Sequence, residues 1–330
     1  MHDPLRSLSR LRERYGEEAV EFQLKSLERH GDVVDDPQLW LEVALAGRFK
    51  FMPIGRVDRC PCGNNETRFL GRFVFWNLLG LRECSRCGLL VVSPRLTKEA
   101  MRSVFTEHYF DYANLNVWGE RRARVFADVL RILESRGVHN VFDVGAAFGH
   151  FVKYAGERGL EAAGSDISPK AVEVGRAQFG VKLYAGTLDE ISLADESFDA
   201  IVSIDAFYYV AEPRAELDAM RRLLRPEGVL VLRLRNSIWS RVRARIGRLR
   251  TVDRSVLPAQ HLWGFTPRSI THLLEISGWR VEECLPAAYS MSPLASLQTA
   301  AITVNRGFRQ AWRDAPILTR SFNVVARREG

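Results

Sequence analysis

The chain has 330 residues, 46% of them hydrophobic, and a formal net charge of +7, which allows a sizeable core in one large domain or a domain with satellites. No apolar run reaches membrane-span length and no signal-type apolar stretch follows Met1-His2-Asp3-Pro4, so the composition points to a cytoplasmic protein without a membrane span. Five cysteines in this length argue against a secreted disulfide scaffold, and four of them in two close pairs point to metal. The basic excess is mostly arginine with no aromatic-interleaved stripe, so a nucleic-acid partner is not expected.

Residues 1–54 read as a helical arm. Leu8, Leu11, Tyr15, Ala19, Phe22 and Leu27 recur at helical spacing, and a second short helix is expected over Gln38–Ala46. No chemistry is visible there; a packing arm or a homo-oligomer contact is the plain reading. Residues 55–96 form a small unit holding Cys60-Pro61-Cys62-Gly63 and Cys84-Ser85-Arg86-Cys87-Gly88. Short strand-like runs lie at Thr67–Leu70, Phe73–Trp76 and Leu89–Val92. Two cysteine knuckles, each followed by glycine, suit a closed, structural zinc site. The first pair is one residue short of the usual C-x-x-C spacing. Residues 97–137 read as a helical linker or lid, with a helix over Thr97–Phe105, an aromatic loop His108–Tyr112, and a long helix Trp118–Arg136. Val125, Val129, Ile132 and Leu133 mark the buried face of that long helix.

From 138 to 330 the chain alternates strands and helices. Expected strands are Val141–Asp143, Leu160–Ser165, Lys182–Tyr184, Asp199–Ile204, Val229–Leu234, Arg280–Cys284 and Phe322–Arg327. Expected helices are Phe148–Arg158, Pro169–Phe179, Pro213–Leu224, Ser240–Arg250 and Thr266–Ile276. Ser168 and Thr266 read as N-caps, with Pro169 and Pro267 first inside. The alternation predicts an α/β, doubly wound, mostly parallel seven-stranded sheet. Residues 236–265 interrupt the rhythm as an arginine-rich insertion carrying Arg241, Arg243, Arg245, Arg248 and Arg250, either an anion-holding stretch or a solvated face.

The first strand runs into the turn Asp143-Val144-Gly145-Ala146-Ala147-Phe148-Gly149. Strand, glycine turn and helix let backbone approach a ligand at a helix N-terminus. Asp166 ends the next strand, where a carboxylate can grip a ribose diol. Gly186-Thr187-Leu188 and Ser203 to Tyr209 end the following two strands, so all four stretches converge on one crevice.

In the order Phe142–Gly149, Gly164–Pro169, Ser197–Val202 and Leu223–Gly228, residues 138–235 resemble a class I S-adenosylmethionine-dependent methyltransferase. Cys84 to Arg95, Tyr109-Phe110 and His261 to Thr266 are similar to a bacterial group of that family with an N-terminal zinc-ribbon-like module. The resemblance implies S-adenosylmethionine as cofactor. Gly145 and Gly149 would approach its methionine part, with Asp143 ordering the loop and Ala147 replacing a usual glycine. Asp166, with Ile167 beside it, would take the ribose, and the backbone of Thr187 and Leu188 the adenine. Asp205 would line the methionine end or the acceptor. Many relatives carry Glu-His after the fourth strand where this chain has Tyr208-Tyr209, so His261 is the expected base or substrate contact, with Tyr208 and Tyr209 as the acceptor wall. The expected activity is O- or N-methylation of a small-molecule acceptor, possibly a sugar or carbohydrate intermediate. The alternatives are an RNA or protein methyltransferase, or a non-catalytic cofactor binder.

Overall fold

The computed structural model describes residues 54–57, 59–73, 80–93, 95–103, 105–106, 115–246, 251–252, 261–287, 302–305, 317 and 319–329. The expectations for residues 1–53, for the loop 108–112 and for the end of the arginine-rich helix beyond 246 lie outside the described residues.

The strands run in chain order β1 (Ile54–Gly55), β2 (Thr67–Phe73), β3 (Gly80–Cys84), β4 (Leu90–Val92), β5 (Arg95–Leu96), β6 (Asn140–Val144) and β7 (Glu161–Asp166). They continue with β8 (Lys182–Ala185), β9 (Phe198–Ile204), β10 (Leu224–Arg235), β11 (Thr251–Val252), β12 (Trp263–Gly264), β13 (Trp279–Ala287) and β14 (Ser321–Arg328). Seven of them form one sheet in the order β13-β14-β10-β9-β6-β7-β8. β6, β7, β8, β9 and β10 pair in parallel, while β14 runs antiparallel to both β10 and β13. This is the class I methyltransferase fold that the sequence predicts.

The sheet forms because both faces of its strands are apolar. Val141, Ala200, Val202, Val229, Val231 and Val325 bury one face against Val125, Phe126, Val129, Ile132 and Leu133 of the helix Leu115–Glu134. Phe142, Ile201, Leu230, Leu232 and Val324 alternate onto the other face, against Leu217, Met220 and Leu223 of the helix Pro213–Leu223 and Leu273 and Leu274 of the helix Pro267–Glu275. Period-two alternation with both sides covered is what a central parallel sheet requires. The caps fall as expected. The Ser168 hydroxyl accepts from the Ala171 N–H ahead of the helix Pro169–Phe179, and Thr266 accepts from Ser269 ahead of Pro267.

The cysteine-bearing unit departs from the expected layout in two ways. Its strand β2 runs unbroken to Phe73, with a register shift between Phe69 and Gly71, and β3 is a strand that the sequence pattern hid. β3 carries Glu83, only 3% exposed, which reads as polar but is neutralised by Arg68 and Arg241. The unit is also not closed on itself. β11 pairs parallel with β2 and β12 antiparallel with β4, so the 236–265 stretch completes its five-stranded sheet. Its four cysteines, Leu89 and Val91 belong to the same buried cluster as Phe142, Ile201 and Leu230 of the main sheet. No helix among the described residues is long and apolar enough to cross a membrane.

Candidate functional site

The parallel strands deliver their C-terminal ends to one cavity of about 370 Å³. Open α/β sheets bind ligands at this edge, where the strand order reverses; here the reversal lies between β6 and β9. Of the expected site residues, Asp143, Gly145, Ala147, Asp166, Ile167, Thr187, Leu188, Asp205, Tyr208 and Tyr209 line the cavity.

The turn after β6 is held by backbone. The N–H groups of Gly145 and Ala146 donate to the Ser165 carbonyl at 2.9 and 2.8 Å. Gly145 has φ +80, and a Cβ there would collide with Ala206, so this position needs glycine. Ala147 adopts φ 51, a left-handed conformation that costs a residue with a Cβ about 1 kcal/mol. Its N–H is nonetheless well used, donating to Asp166 Oδ2 at 2.8 Å, while the Ser168 N–H donates to Oδ1 at 2.9 Å. Burial still pushes the Asp166 carboxyl up to about 6, against those two bonds. Gly149 does not line the cavity. At φ +79 it starts the helix His150–Gly156, and a Cβ would press Val181 at 2.9 Å and Leu183 at 3.0 Å. Its requirement for glycine comes from this left-handed backbone, with helix–strand packing adding to it.

Asp143 is 3% exposed, and its Oδ1 has no hydrogen-bond partner. Burial pushes its carboxyl up to about 8, with Arg122 pulling the other way. An orphaned carboxylate oxygen facing a cavity is costly unless a ligand donor completes it. Asp205, at φ 59, is clamped between two guanidinium groups: Arg122 Nη2 donates to Oδ2 at 2.9 Å and Arg233 to Oδ1. The Thr187 N–H donates to Glu190 Oε2 at 3.0 Å, and Glu190 is held in turn by Arg102.

His261 lies behind the cavity wall. Its ring stacks on Tyr208 at 4.0 Å between centroids and meets Tyr209 edge-on at 5.0 Å. It is 5% exposed, and burial holds it well below the usual imidazole range, which weakens it as a base. Tyr208 and Tyr209 face the cavity, and Phe105 meets Tyr209 edge-on at 4.9 Å from the other side. Sequence reasoning missed Arg122, Phe126, Met101 and Glu216, which also line it. Burial pushes Glu216 up to about 7. No local motif marks any of these residues, which are ordinary members of amphipathic helices.

The cysteine sites converge. The sulfurs of Cys60, Cys62, Cys84 and Cys87 lie within 4.8 Å of one another, with Cys60–Cys87 at 3.6 Å and Cys62–Cys84 at 3.7 Å. A tetrahedral zinc with Zn–S of about 2.3 Å places its sulfurs about 3.8 Å apart. The short first pair works because Gly63, at φ +86, closes a turn by donating its N–H to the Cys60 carbonyl at 2.8 Å. Asn64 Nδ2 donates to Cys84 Sγ at 3.5 Å. Hydrogen bonding from Cys60 pulls the Cys87 thiol down to about 5, while burial pushes Cys62 up to about 11.

Comparison with known proteins adds sequence and shape. A family model described as "Methyltransferase domain" matches residues 117–284. An uncharacterised methyltransferase of Mycobacterium tuberculosis is 33% identical over 111 residues, 33% of this chain and 43% of the relative. A ubiquinone biosynthesis O-methyltransferase of Cereibacter sphaeroides is 30% identical over 96 residues, 28% of this chain and 39% of the relative. The chain thus spans about two fifths of the length of these curated relatives. Among solved structures, Burkholderia thailandensis 1,6-didemethyltoxoflavin-N1-methyltransferase, with bound 1,6-didemethyltoxoflavin and S-adenosylhomocysteine, superposes with a TM-score of 0.49. It is 18% identical, over 74% of this chain and 97% of that one.

Proposed function

This chain belongs to the methyltransferase-domain family, and on that premise we propose that it transfers a methyl group from S-adenosylmethionine to a hydroxyl or amine of a small-molecule acceptor. The observation that carries the donor reading is the pair of buried carboxyls flanking the Gly145 turn. The donor's chemistry fits them. The Asp143 Oδ1 without a partner suits an ammonium group. Asp166, fixed by the Ala147 and Ser168 amides, keeps lone pairs for a ribose diol, since each carboxylate oxygen accepts more than one bond. Gly145, which lines the cavity, offers a ligand bare backbone there. Bound there, S-adenosylmethionine supplies a methyl already activated by its positive sulfur.

The protein's part is then to bind, orient and exclude water. Asp166, Ile167 and the Thr187–Leu188 backbone hold the nucleoside; Asp143, Gly145 and Asp205 hold the amino-acid end. Tyr208, Tyr209 and Phe105 form the acceptor wall. His261 acts through them as a positioning residue, because its ring backs Tyr208 without reaching the cavity. Residues 97–103 serve as a lid, pinned by the Arg102–Glu190 ion pair. The lining acids Asp189, Glu212 and Glu216 favour a neutral or cationic acceptor, and a polyhydroxyl compound such as a sugar can hydrogen-bond to them. Of the arginine-rich stretch, Arg241 pairs with Glu83 and does not line this cavity. The cysteine cluster, which fits a structural zinc, holds the 55–96 unit to the sheet and takes no part in the chemistry.

The test is calorimetry with S-adenosylhomocysteine, followed by transfer of a labelled methyl to panels of hydroxylated and amine acceptors. Micromolar binding and transfer to at least one small acceptor are expected; absence of binding would sink the donor reading.

A further inference from the structure

We propose that Arg95 and Trp263 are positioning residues that set the acceptor wall, so that the cysteine-bearing unit decides how the acceptor is placed while the main sheet holds the donor. This rests on the acceptor wall assigned above.

The chain after β9 enters the short helical turn Phe207–Tyr209 and reaches the helix at Pro213 through residues 210–212. Tyr208, Tyr209, Val210, Ala211 and Glu212 line the cavity. Such a connection has no strand partner of its own, so its carbonyls need donors from elsewhere. The donors come from outside the seven-stranded sheet. The Leu262 N–H donates to the Tyr208 carbonyl at 3.0 Å. Trp263 Nε1–H donates to the Val210 carbonyl at 2.7 Å, and Arg95 Nη2 donates to the Ala211 carbonyl at 3.0 Å.

These donors form one structure. The Arg95 guanidinium lies 4.5 Å over the Trp263 ring, a cation–π contact that fixes both. Trp263 pairs with Val91 across β12 and β4, and the Val92 N–H donates to the Leu262 carbonyl at 3.1 Å. β4 follows the second cysteine knuckle, where the Cys84 N–H donates to the Leu89 carbonyl at 2.9 Å. A run of backbone bonds therefore connects the four-cysteine cluster to the cavity wall. Burial pushes Arg95 down to about 10, against the pull of Glu212, and leaves its Nη1 without a partner. A core built for stability alone would place an apolar side chain there. The donor flank is held differently. Gly145 and Ala146 bond to Ser165, and Asp166 to the Ala147 and Ser168 amides, all within the main sheet and its turns. Methyl transfer needs acceptor and methyl aligned, and a displacement of about 1 Å costs about a hundredfold in rate. A wall held by one sheet beside a donor held by another lets acceptor placement change without a change in donor binding.

The test is hydrogen exchange by mass spectrometry on the full chain, beside calorimetry with S-adenosylhomocysteine. Trp263→Phe keeps an aromatic ring beneath Arg95 and removes the Nε1–H; Arg95→Met removes the guanidinium and keeps the stem. Each is expected to speed exchange in peptides spanning 206–212 and 261–264 about fivefold or more, with Arg95→Lys in between. Exchange at 143–149 stays within about twofold and S-adenosylhomocysteine affinity within about threefold. With an acceptor from the labelled-methyl panels, the acceptor KM rises about tenfold in either variant while the donor KM is unchanged. Unchanged exchange at 206–212 in both variants overturns the proposal. Equal acceleration at 143–149 also overturns it, since that is a general loosening of the fold. Wild-type protein that fails to bind S-adenosylhomocysteine refutes the donor reading, while the exchange comparison still decides what holds residues 208–211.

Discussion

The cavity at the strand ends and a second cavity of about 400 Å³ beside the cysteine cluster are built from opposite charge. The first is lined by Asp143, Asp166, Asp189, Asp205, Glu212 and Glu216 against Lys98, Arg102 and Arg122. The second is lined by Arg68, Arg86, Arg241 and Arg268 around Glu83. The overall charge of +7 therefore says nothing about the proposed donor site, which is acidic and matched to a cationic ligand. Arg68 and Arg241 neutralise a buried glutamate beside the four cysteines, where a zinc tetrathiolate would add further negative charge. Net charge is a property of the surface as a whole; recognition is set by the few groups that face one cavity.

The contrast can be broken most severely at the cysteines. Cys84→Ser should remove the one zinc expected per chain and lower Tm by more than about 10 °C, because structural zinc sites contribute folding free energy on the order of 10 kcal/mol. Elemental analysis with a thermal melt checks this; an unchanged melt would separate the module from the shared core. Asp166→Asn should weaken S-adenosylhomocysteine about a hundredfold, or about 3 kcal/mol, while zinc content stays the same. Asn is preferred to Ala because it keeps an acceptor for one of the amides of Ala147 and Ser168, where Ala would orphan both. If metal content falls together with affinity, the two sites are not energetically distinct.

A smaller effect is expected from pH. Burial raises Asp143 to about 8 and Asp166 to about 6, above the ordinary carboxyl value of about 3.9. The contribution of these groups to stability is therefore full below pH ~4 and is lost as pH rises through about 6 and about 8. A bound ammonium would favour the ionised Asp143, so ligand binding at pH 7 should release protons and tighten toward pH 8.5. Calorimetry in two buffers of different ionisation enthalpy measures this; zero proton release counts against Asp143 as the ammonium partner. Ala147→Gly should do least. It relieves a left-handed alanine, about 1 kcal/mol, but exposes one buried methyl, about 0.8 kcal/mol. Tm should stay within about 3 °C and affinity within threefold; a large gain in affinity would mean that the methyl narrows the site.

Much of the main domain was legible because its signals are local. The seven strands, the caps at Ser168 and Thr266, and the turn from Asp143 to Gly149 are each written in a few consecutive residues. Gly149 shows the limit of such reading: it lies outside the cavity lining, and its glycine serves a left-handed turn packed near Val181 and Leu183. His261 shows it again, since a polar residue in the right segment proved to be packed behind Tyr208.

The sequence alone determined the α/β alternation, the pairing of two cysteine knuckles and the carboxyl-bearing loop, because backbone preference and hydrophobic period act over a few residues. Only the tertiary structure decided that strands at 251–252 and 263–264 close the sheet of the 55–96 unit. It alone brought Arg122 and Arg233 onto Asp205, across 83 and 28 residues. Such partners are chosen by which strand ends and helix faces meet in the folded core, and no periodicity in the chain records that meeting.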